Sequence, residues 1–250
     1  MTSRTKIYFA SDFHLGVPDY EKSLEREKRI CRWMDTIKND AKELFLMGDL
    51  FDWWFEHKYT APQGYVRLLG KIAELTDSGV TVHLFTGNHD MWMFGYLEKE
   101  LNVRIHRMPI QREFNGKKFF LAHGDGLGPG ERIYKFYKWF FISPFWQWCF
   151  ARFHPNFSMW LGMFFSRSSR KTNKGKDKIF LGEDKEYLIL FCKEELKKQK
   201  IDYFIFGHRH LPLDLSVGEN SRYINLGEWM NYNTYAVWDG VKLELLEFKD

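Results

Sequence analysis

The chain has 250 residues, 44% of them hydrophobic, and a formal net charge of +4 at pH 7. This length fits one large domain, residues 1–250, or one domain with an insertion, and the mild charge gives no reason to expect nucleic acid as a partner. The three cysteines are widely spaced, which argues against a disulfide framework and a zinc finger and favours a reducing compartment. No signal-peptide pattern precedes Lys6, so we expect a cytoplasmic protein.

The first half of the sequence alternates predicted strands and helices. The elements, in order, are a strand at 6–11, a helix at 21–38, a strand at 44–47, a helix from Pro62 to residue 79, and a strand at 80–85. This β-α-β-α-β order predicts short crossovers and a largely parallel sheet, so the fold class is α/β. Each strand is followed directly by polar residues, beginning with Asp12 and His14 after the first strand.

The second half begins with shorter elements and then resumes the alternation. The predicted elements are a helix near 93–100, strands within 103–114, a turn at Asn115-Gly116, a strand at 118–122, a helix at 183–199, a strand at 203–206, and strands at 222–226, 234–238 and 241–248. The strand at 118–122 ends at His123, and the strand at 203–206 leads to His208 and His210.

Residues 126–182 interrupt this alternation and form a predicted insertion, which we call the aromatic insertion. A membrane-spanning helix needs about 20 apolar residues, and Lys138, Pro144, Arg152 and Pro155 break the apolar run. Aromatic residues beside lysine and arginine are typical of a helical lid whose apolar side meets acyl chains or the bilayer interface. Simple helical packing on the core is the alternative interpretation.

The end of the aromatic insertion is rich in basic residues. They could meet anionic headgroups or nucleotide phosphates, or they could form a solvated loop. These residues are Arg167, Arg170, Lys171, Lys174, Lys176 and Lys178.

Five predicted strand ends carry side chains that bind divalent metals. They are, in order, Asp12-x-His14, Asp49, Asn88, His123 and His208-x-His210. Carboxylate and carboxamide oxygens mixed with imidazoles suit divalent manganese, iron or zinc, with manganese the expected ion, and such a set indicates an open catalytic site. A single residue between two ligands would place both side chains on one side of an extended backbone. The glycines before Asp49, Asn88 and His208 would allow a sharp turn and a close approach.

Each candidate ligand also has an ordinary interpretation when taken alone. Asp49 could cap a helix, His123 could be a core histidine, and Asn88 could be a turn residue. The occurrence of all of them at five consecutive strand ends favours the metal site instead. The remaining histidines lack such partners and are interpreted as structural or surface residues: His57, His83, His106 and His154.

The motifs D-x-H, G-D-x-x-D, G-N-H-D, H-G-D and G-H-x-H, in this order, resemble those of the calcineurin-like metallophosphoesterases. The resemblance covers residues 6–125 and 183–230 and implies two stacked mixed β-sheets flanked by helices. It implies a first metal bound by Asp12, His14, Asp49 and His210. It implies a second metal bound by Asn88, His123, His208 and again Asp49.

The resemblance also implies a catalytic role for His89, which is not needed as a metal ligand. The equivalent histidine donates a proton to the leaving oxygen or stabilises charge on the phosphate. Two cations roughly 3.5–4 Å apart would activate a water molecule for in-line attack on phosphorus. Asp52 could hydrogen-bond His89 and hold it protonated, or it could instead be the carboxylate at a helix N-terminus.

The residues after Asp49 bear on the substrate. Protein phosphatases of this superfamily have arginine where this chain has Trp53, which argues against a phosphoprotein substrate. Residues 12–15, 48–54 and 123–125 are similar to the UDP-2,3-diacylglucosamine diphosphatases of lipid A synthesis, although the best-known members carry arginine in place of His89. This resemblance implies a UDP-linked acylated sugar as substrate, UMP and 2,3-diacylglucosamine 1-phosphate as products, and peripheral association with the cytoplasmic face of the inner membrane. The expected substrate contacts are Trp53, Arg167, Arg170, Lys171 and Lys174.

Two other functions remain open at this point. The first keeps the chemistry but changes the substrate to nucleotides or other small phosphate esters. The second is a scaffold that binds partners without catalysis. Such scaffolds usually lack one or more ligands, whereas this chain keeps all of the expected ones.

Overall fold

The protein is built on two β-sheets that stack face to face. The structure is a computed structural model that describes residues 4–129, 132–173 and 179–250. The first sheet has six strands in the order β11-β10-β1-β2-β3-β4. Their bounds are β1 (Lys6–Ala10), β2 (Ala41–Leu46), β3 (Thr81–Phe85), β4 (Arg104–His106), β10 (Thr234–Trp238) and β11 (Leu243–Glu247). Strands β1 to β4 are mutually parallel, as the βαβ pattern predicts, while β10 and β11 add an antiparallel edge.

The second sheet has five strands in the order β5-β6-β7-β9-β8. Their bounds are β5 (Ile110–Phe114), β6 (Lys117–Leu121), β7 (Tyr203–Phe206), β8 (Pro212–Val217) and β9 (Ser221–Leu226). Strands β6, β7 and β9 are parallel, and the outer strands β5 and β8 are antiparallel to their neighbours. Both sheets are therefore mixed.

Alternation along the central strands places apolar side chains on both faces of the first sheet. On β1, Phe9 points towards the second sheet, while Tyr8 and Ala10 point towards the outer helices. The ring centroids of Phe9 and Phe119 lie 6.3 Å apart across the two sheets, with their planes 8° from parallel. Burial on both faces explains why residues 7–10 of β1 and residues 44–46 of β2 appear in the sequence as continuous apolar runs.

Helices cover the outer face of each sheet. The helices α1 (Tyr20–Ile37), α2 (Val66–Asp77) and α3 (Tyr96–Leu101) pack on the first sheet, and α7 (Tyr187–Leu196) packs on the second. This arrangement confirms the predicted class, an α/β fold of two stacked mixed sheets flanked by helices.

The start of α2 differs from the prediction. The helix begins at Val66 and not at Pro62, and its N-cap residue makes no side-chain capping bond. The Glu27 carboxylate on α1 takes that place, accepting hydrogen bonds from the backbone N–H of Arg67 at 2.8 Å and of Leu68 at 3.0 Å. Because an acid from another helix caps α2, the local sequence around Pro62 could not reveal the boundary.

Strand β8 was not predicted from the sequence. It begins with Pro212, which cannot donate a backbone hydrogen bond, and it lies at the edge of the second sheet, where it pairs with β9. Edge positions and first residues are where strands tolerate proline, so the missed strand has a local reason.

The aromatic insertion folds as three helices in its described part. They are α4 (Arg132–Ile142), α5 (Pro144–Phe150) and α6 (Pro155–Asn173). Within the described ranges, none of the helices combines the length and the apolar character that crossing a bilayer requires.

Candidate metal centre

The candidate metal ligands lie just beyond the carboxyl ends of parallel strands. In the first sheet β1, β2 and β3 lead to Asp12, Asp49 and Asn88, and in the second sheet β6 and β7 lead to His123 and His208. Parallel strands end at the same edge of their sheet, so each sheet brings its own loops together. The stacking of the two sheets then places both sets of loops next to each other.

The ligand loops have an unusual backbone. The predicted extended segments are absent, because each D-x-H or H-x-H pair turns through the left-handed region, where non-glycine residues are uncommon. Hydrogen bonds between loops hold this conformation: the His14 N–H donates to the Asp49 carbonyl at 2.9 Å, and the His208 N–H donates to the Asp12 carboxylate at 3.0 Å. The ligand residues with positive φ are Asp12 (57°), His14 (45°), Asp49 (54°), His208 (64°) and His210 (56°).

The first cluster contains Asp12, His14, Asp49 and His210, whose possible ligand atoms all lie within 4.8 Å of one another. The Nε2 atoms of His14 and His210 are 2.9 Å apart. The Asp12 Oδ1 atom is 3.2 Å from His210 Nε2 and 3.5 Å from His14 Nε2. These four side chains converge on one point, as they would around a single cation.

The second cluster contains Asp49, His123 and His208, again with ligand atoms within 4.8 Å of one another. His123 Nε2 lies 3.4 Å from Asp49 Oδ2 and 3.3 Å from Asn88 Oδ1. His123 Nδ1 bonds to the carbonyl of Met47 at 2.8 Å, which fixes the ring so that Nε2 faces the cluster. Asp49 is therefore the residue that the two clusters share.

Two buried carboxylate oxygens identify these clusters as fit for cations. Asp12 Oδ1 and Asp49 Oδ2 are buried, and within the described residues neither has a hydrogen-bond partner. Burial raises the pKa of Asp49, but His123 and His89 outweigh burial and hold that pKa well below its usual range. Buried, ionised oxygens without hydrogen bonds are costly in a protein interior, and divalent cations would satisfy both of them.

Asp90 is a buried residue of this centre, and no role was predicted for it from the sequence. Its Oδ1 accepts hydrogen bonds from the N–H groups of Gly87 at 2.8 Å and Asp49 at 3.3 Å. Its Oδ2 accepts from Leu50 at 2.7 Å and Phe51 at 3.4 Å. Burial and the nearby charge of Asp49 raise the pKa of Asp90 to about 7. One carboxylate thus ties the loop after β2 to the loop after β3.

Glycines make this close packing possible. A Cβ atom on Gly87 would overlap the Asp49 carboxylate, and one on Gly207 would overlap Ser11 and the Asp12 carboxylate. Gly48 has a φ of +99°, and a Cβ there would lie 2.6 Å from His123 Nδ1. The expected close approach is therefore present at all three glycines.

His89 lies at the edge of the first cluster, with its ring 5.2 Å from the ring of His14. The predicted bond from the Asp52 carboxylate is absent, since Asp52 Oδ1 is 4.0 Å from His89 Nδ1. His89 Nδ1 instead lies 3.1 Å from the Asp52 backbone carbonyl and 3.2 Å from Ser166 Oγ. The other interpretation of Asp52 is also wrong, because the next helix along the chain begins only at Val66.

Trp53 lies beneath the aromatic insertion. Its ring packs edge-on against Trp92, with centroids 4.7 Å apart, and it leaves no room for a Cβ atom on Gly162 of α6. The indole Nε1 is buried, and it has no hydrogen-bond partner in the described part of the chain. Trp53 therefore seats α6 against the core, and its expected contact with substrate stays a prediction.

The basic residues expected to contact substrate fall largely outside the described structure. Arg167, Arg170 and Lys171 belong to α6, but their side chains are outside the described residues. Lys174, Lys176 and Lys178 are outside the described residues altogether.

The other histidines lie away from the two clusters. His83 is buried and bonds to the Glu43 carboxylate at 3.0 Å and to His106 at 2.9 Å. His57 bonds to Ser158 of α6 at 2.9 Å, and His154 is exposed. These contacts agree with their interpretation as structural or surface residues.

The aromatic insertion contacts the loops of the candidate ligands at a second point. Lys138 Nζ on α4 lies 2.6 Å from the carboxylate of Asp125, and the Tyr134 hydroxyl donates to the same oxygen at 2.5 Å. Burial raises the pKa of Asp125, but the positive charges of His123 and Lys138 lower it below its usual value. The H-G-D motif therefore supplies a metal ligand candidate and, two positions later, an anchor for α4.

Much of the aromatic surface of the insertion is exposed to solvent. Trp139 is 63% exposed, Trp160 60% and Phe165 59%. Other rings pack on the core, where Phe150 meets Phe55 with centroids 4.9 Å apart. Packing on the core therefore describes part of the insertion, while its outward face is apolar and exposed, and contact of that face with acyl chains or the bilayer stays a prediction.

Comparison with protein families gives one match across most of the chain. The model of the calcineurin-like phosphoesterase family matches residues 5–212. This range includes every strand that leads to a candidate ligand.

Curated relatives match over nearly the full length. A UDP-2,3-diacylglucosamine hydrolase of Porphyromonas gingivalis is 39% identical, and the match covers 99% of this chain and 99% of the relative. A UDP-2,3-diacylglucosamine hydrolase of Edwardsiella ictaluri is 24% identical, with 96% of this chain and 90% of the relative covered. Among solved structures, Yfce, a phosphoesterase from E. coli, is similar with a TM-score of 0.49 and 17% identity, over 97% of this chain and 92% of that chain.

Proposed function

Because the chain belongs to the calcineurin-like phosphoesterase family, we propose that it hydrolyses the pyrophosphate of UDP-2,3-diacylglucosamine. The products are UMP and 2,3-diacylglucosamine 1-phosphate, as in lipid A synthesis. The observation that carries this proposal is the 39% identity, over 99% of both chains, to the UDP-2,3-diacylglucosamine hydrolase of Porphyromonas gingivalis. The protein is a metal-dependent hydrolase, and its substrate is a phosphate ester of the sugar-nucleotide class.

Two divalent cations are the cofactors that the two clusters would hold. Asp12, His14, Asp49 and His210 would hold the first cation, and Asp49 would be shared with the second. The second set is completed by Asn88, His123 and His208. Manganese is proposed as the ion, since oxygen and imidazole donors without thiolates suit it, with iron and zinc as alternatives. When bound, such a pair supplies charge neutralisation at phosphoryl oxygens and a nucleophile at neutral pH.

His89 is proposed as the residue that donates a proton to the leaving oxygen. A carbonyl oxygen only accepts hydrogen bonds, so the contact of His89 Nδ1 with the Asp52 carbonyl at 3.1 Å assigns a proton to Nδ1. A ring that is protonated on both nitrogens keeps its Nδ1 proton in this contact and can give its Nε2 proton to the substrate. Asp52 therefore orients the ring through its backbone, and the predicted role of its carboxylate is replaced by this one.

The aromatic insertion is proposed as a lid that binds acyl chains and touches the membrane. Its exposed tryptophans and phenylalanines support this, because apolar patches of this kind mark interaction sites on proteins. The basic residues of α6 and the segment after it would meet anionic headgroups or the nucleotide phosphates. The protein would then act as a peripheral enzyme at the cytoplasmic face of the inner membrane.

The substrate is tested by incubating the purified protein and Mn²⁺ with UDP-2,3-diacylglucosamine and measuring UMP. We expect UMP from the wild type and none from the Asp49→Ala variant. Hydrolysis of bis-p-nitrophenyl phosphate without release of UMP would instead support the alternative, an enzyme for small phosphate esters. Absence of both activities would support the non-catalytic scaffold.

Membrane association is tested by sedimentation with vesicles of phosphatidylglycerol and phosphatidylethanolamine. We expect the double substitution Trp139→Ser and Trp160→Ser to weaken binding about tenfold or more, since burial of one large apolar side chain contributes about 1.5–3 kcal/mol. Tyr59→Ser is the matched control, because Tyr59 is an exposed aromatic residue, at 84%, outside the insertion. Equal binding of all three proteins would refute the membrane proposal.

A further inference from the structure

We propose that Ser166 of α6 is a positioning residue that links the seating of the aromatic insertion to the orientation of His89. The inference rests on the proposed function, because it assumes that His89 acts in catalysis. Ser166 is buried, at 5% exposure, although it belongs to a helix whose neighbouring aromatic residues face solvent.

The hydroxyl of Ser166 joins two residues of the centre. Its Oγ donates to Asp52 Oδ2 at 2.6 Å, and it lies 3.2 Å from His89 Nδ1. Since the single hydroxyl proton is used on the carboxylate, Ser166 accepts a hydrogen bond from the Nδ1–H of His89. This direction agrees with the contact between His89 Nδ1 and the Asp52 carbonyl, which also requires a proton on Nδ1.

The face of α6 that meets the core explains why the hydroxyl reaches so far inward. Ser158, Gly162 and Ser166 are spaced four residues apart, so they lie on one side of the helix, and all three are buried. A side chain at Gly162 would overlap the ring of Trp53, so the backbone of α6 approaches the core closely there. When α6 is seated, Ser166 is therefore held against Asp52 and His89.

Ser158 provides a matched control on the same helix. It too is a buried serine with a hydrogen-bonded hydroxyl, whose Oγ lies 2.9 Å from His57 Nε2 and donates to the Pro155 carbonyl at 2.9 Å. Ser158→Ala removes the same atom from the same face of α6, but it does not remove a contact with His89. A general loosening of the insertion would affect both variants alike.

The experiment is a double-mutant cycle on the manganese-loaded protein. We expect Ser166→Ala to lower kcat about tenfold with little change in KM or metal content, because a positioned proton donor contributes on the order of 10²–10⁴ in rate and the Asp52 carbonyl still holds the ring. Ser158→Ala should leave kcat within about twofold. In the His89→Ala background, Ser166→Ala should have no further effect, since the two residues act as one unit. Additive losses in kcat, or an unchanged kcat in Ser166→Ala, would overturn the proposal.

A second measurement separates this inference from the proposed function. Nitrogen-15 NMR of histidine-labelled, zinc-loaded protein reports the His89 ring directly, with its signals assigned by their loss in His89→Ala. We expect these signals to move in Ser166→Ala and to stay in place in Ser158→Ala. If the wild type released no UMP, the proposed substrate would be wrong, but the NMR result would still show whether Ser166 contacts His89. Unchanged His89 signals in Ser166→Ala would refute the positioning role.

Discussion

Asp90 offers the most direct test of how the centre is held together, and the informative change is Asp90→Asn. The side chain keeps its shape, but one of its two terminal oxygens becomes an NH₂ group. Each oxygen accepts one short and one long hydrogen bond from backbone N–H groups, at 2.8 and 3.3 Å on Oδ1 and at 2.7 and 3.4 Å on Oδ2. Whichever oxygen is replaced, two buried N–H groups will face a donor.

The size of the effect follows from these bonds. A buried N–H group left without a partner costs about 1–3 kcal/mol. Two such groups lose their acceptor, and the longer of the two bonds is the weaker, so we expect the free energy of unfolding to fall by about 3 kcal/mol. For a chain of this length, 1 kcal/mol corresponds to about 2–4 °C in Tm, which gives a fall of about 6–12 °C. Since burial and Asp49 raise the pKa of Asp90 to about 7, the comparison belongs at pH 8, where the carboxyl group is ionised.

The assay is differential scanning calorimetry of metal-loaded protein, with metal content measured in parallel. Asp77→Asn is the control, because it makes the same chemical change at an exposed position at the end of α2. We expect Asp90→Asn to lose both stability and bound metal, since the remaining oxygen ties the loops after β2 and β3 together more weakly. A Tm for Asp90→Asn within about 2 °C of the control would correspond to less than about 1 kcal/mol and would refute this account.

Three further predictions concern the same centre and the core. Asp49→Ala should lose both metals and all turnover, whereas His89→Ala should lower kcat and keep its metals by mass spectrometry; metal loss in His89→Ala would contradict its role. Gly87→Ala should bind metal more weakly in equilibrium dialysis, because its Cβ would overlap the Asp49 carboxylate, while Gly70→Ala, with nothing within 4 Å, should bind normally. Burial and nearby positive charge lower the pKa of His106 from 6.5 to about 4 in the folded protein. Between pH 6.5 and about 4 the unfolded chain therefore binds more protons than the folded one, and the free energy of unfolding falls as the pH falls through this range. His106→Gln should flatten this dependence in urea titrations; an identical slope would exclude the histidine as its cause.

The sequence predicted which candidate ligands would meet, because their positions follow a simple geometric rule. Polar residues at the ends of parallel strands must meet at one edge, and the strands themselves are marked by continuous apolar runs. Asp12, Asp49 and His123 could therefore be placed together without any knowledge of the loops. Their order along the chain matched the family whose model spans residues 5–212.

The parts that the sequence did not reveal depend on contacts between distant segments. Asp90 is the last residue of the G-N-H-D motif, but its role arises only because three N–H groups from the loop after β2 reach it. Ser166 is an ordinary serine in an aromatic helix, separated from Asp52 by 114 positions. The left-handed conformation of His14 and His208 is held by hydrogen bonds to neighbouring loops, and neither position is a glycine that would signal it.

The division of ligands between the sheets has a consequence for the lifetime of the protein. His14 belongs to the first sheet and His210 to the second, and 196 positions separate them, so a cation held by both would close most of the chain into a loop. Binding to the folded state alone makes unfolding dependent on the free metal concentration. Proteases degrade chains that unfold more often. A cell short of the cation would therefore contain less of the enzyme, and the enzyme that remains would be less active. The amount of the protein would then follow the supply of the metal.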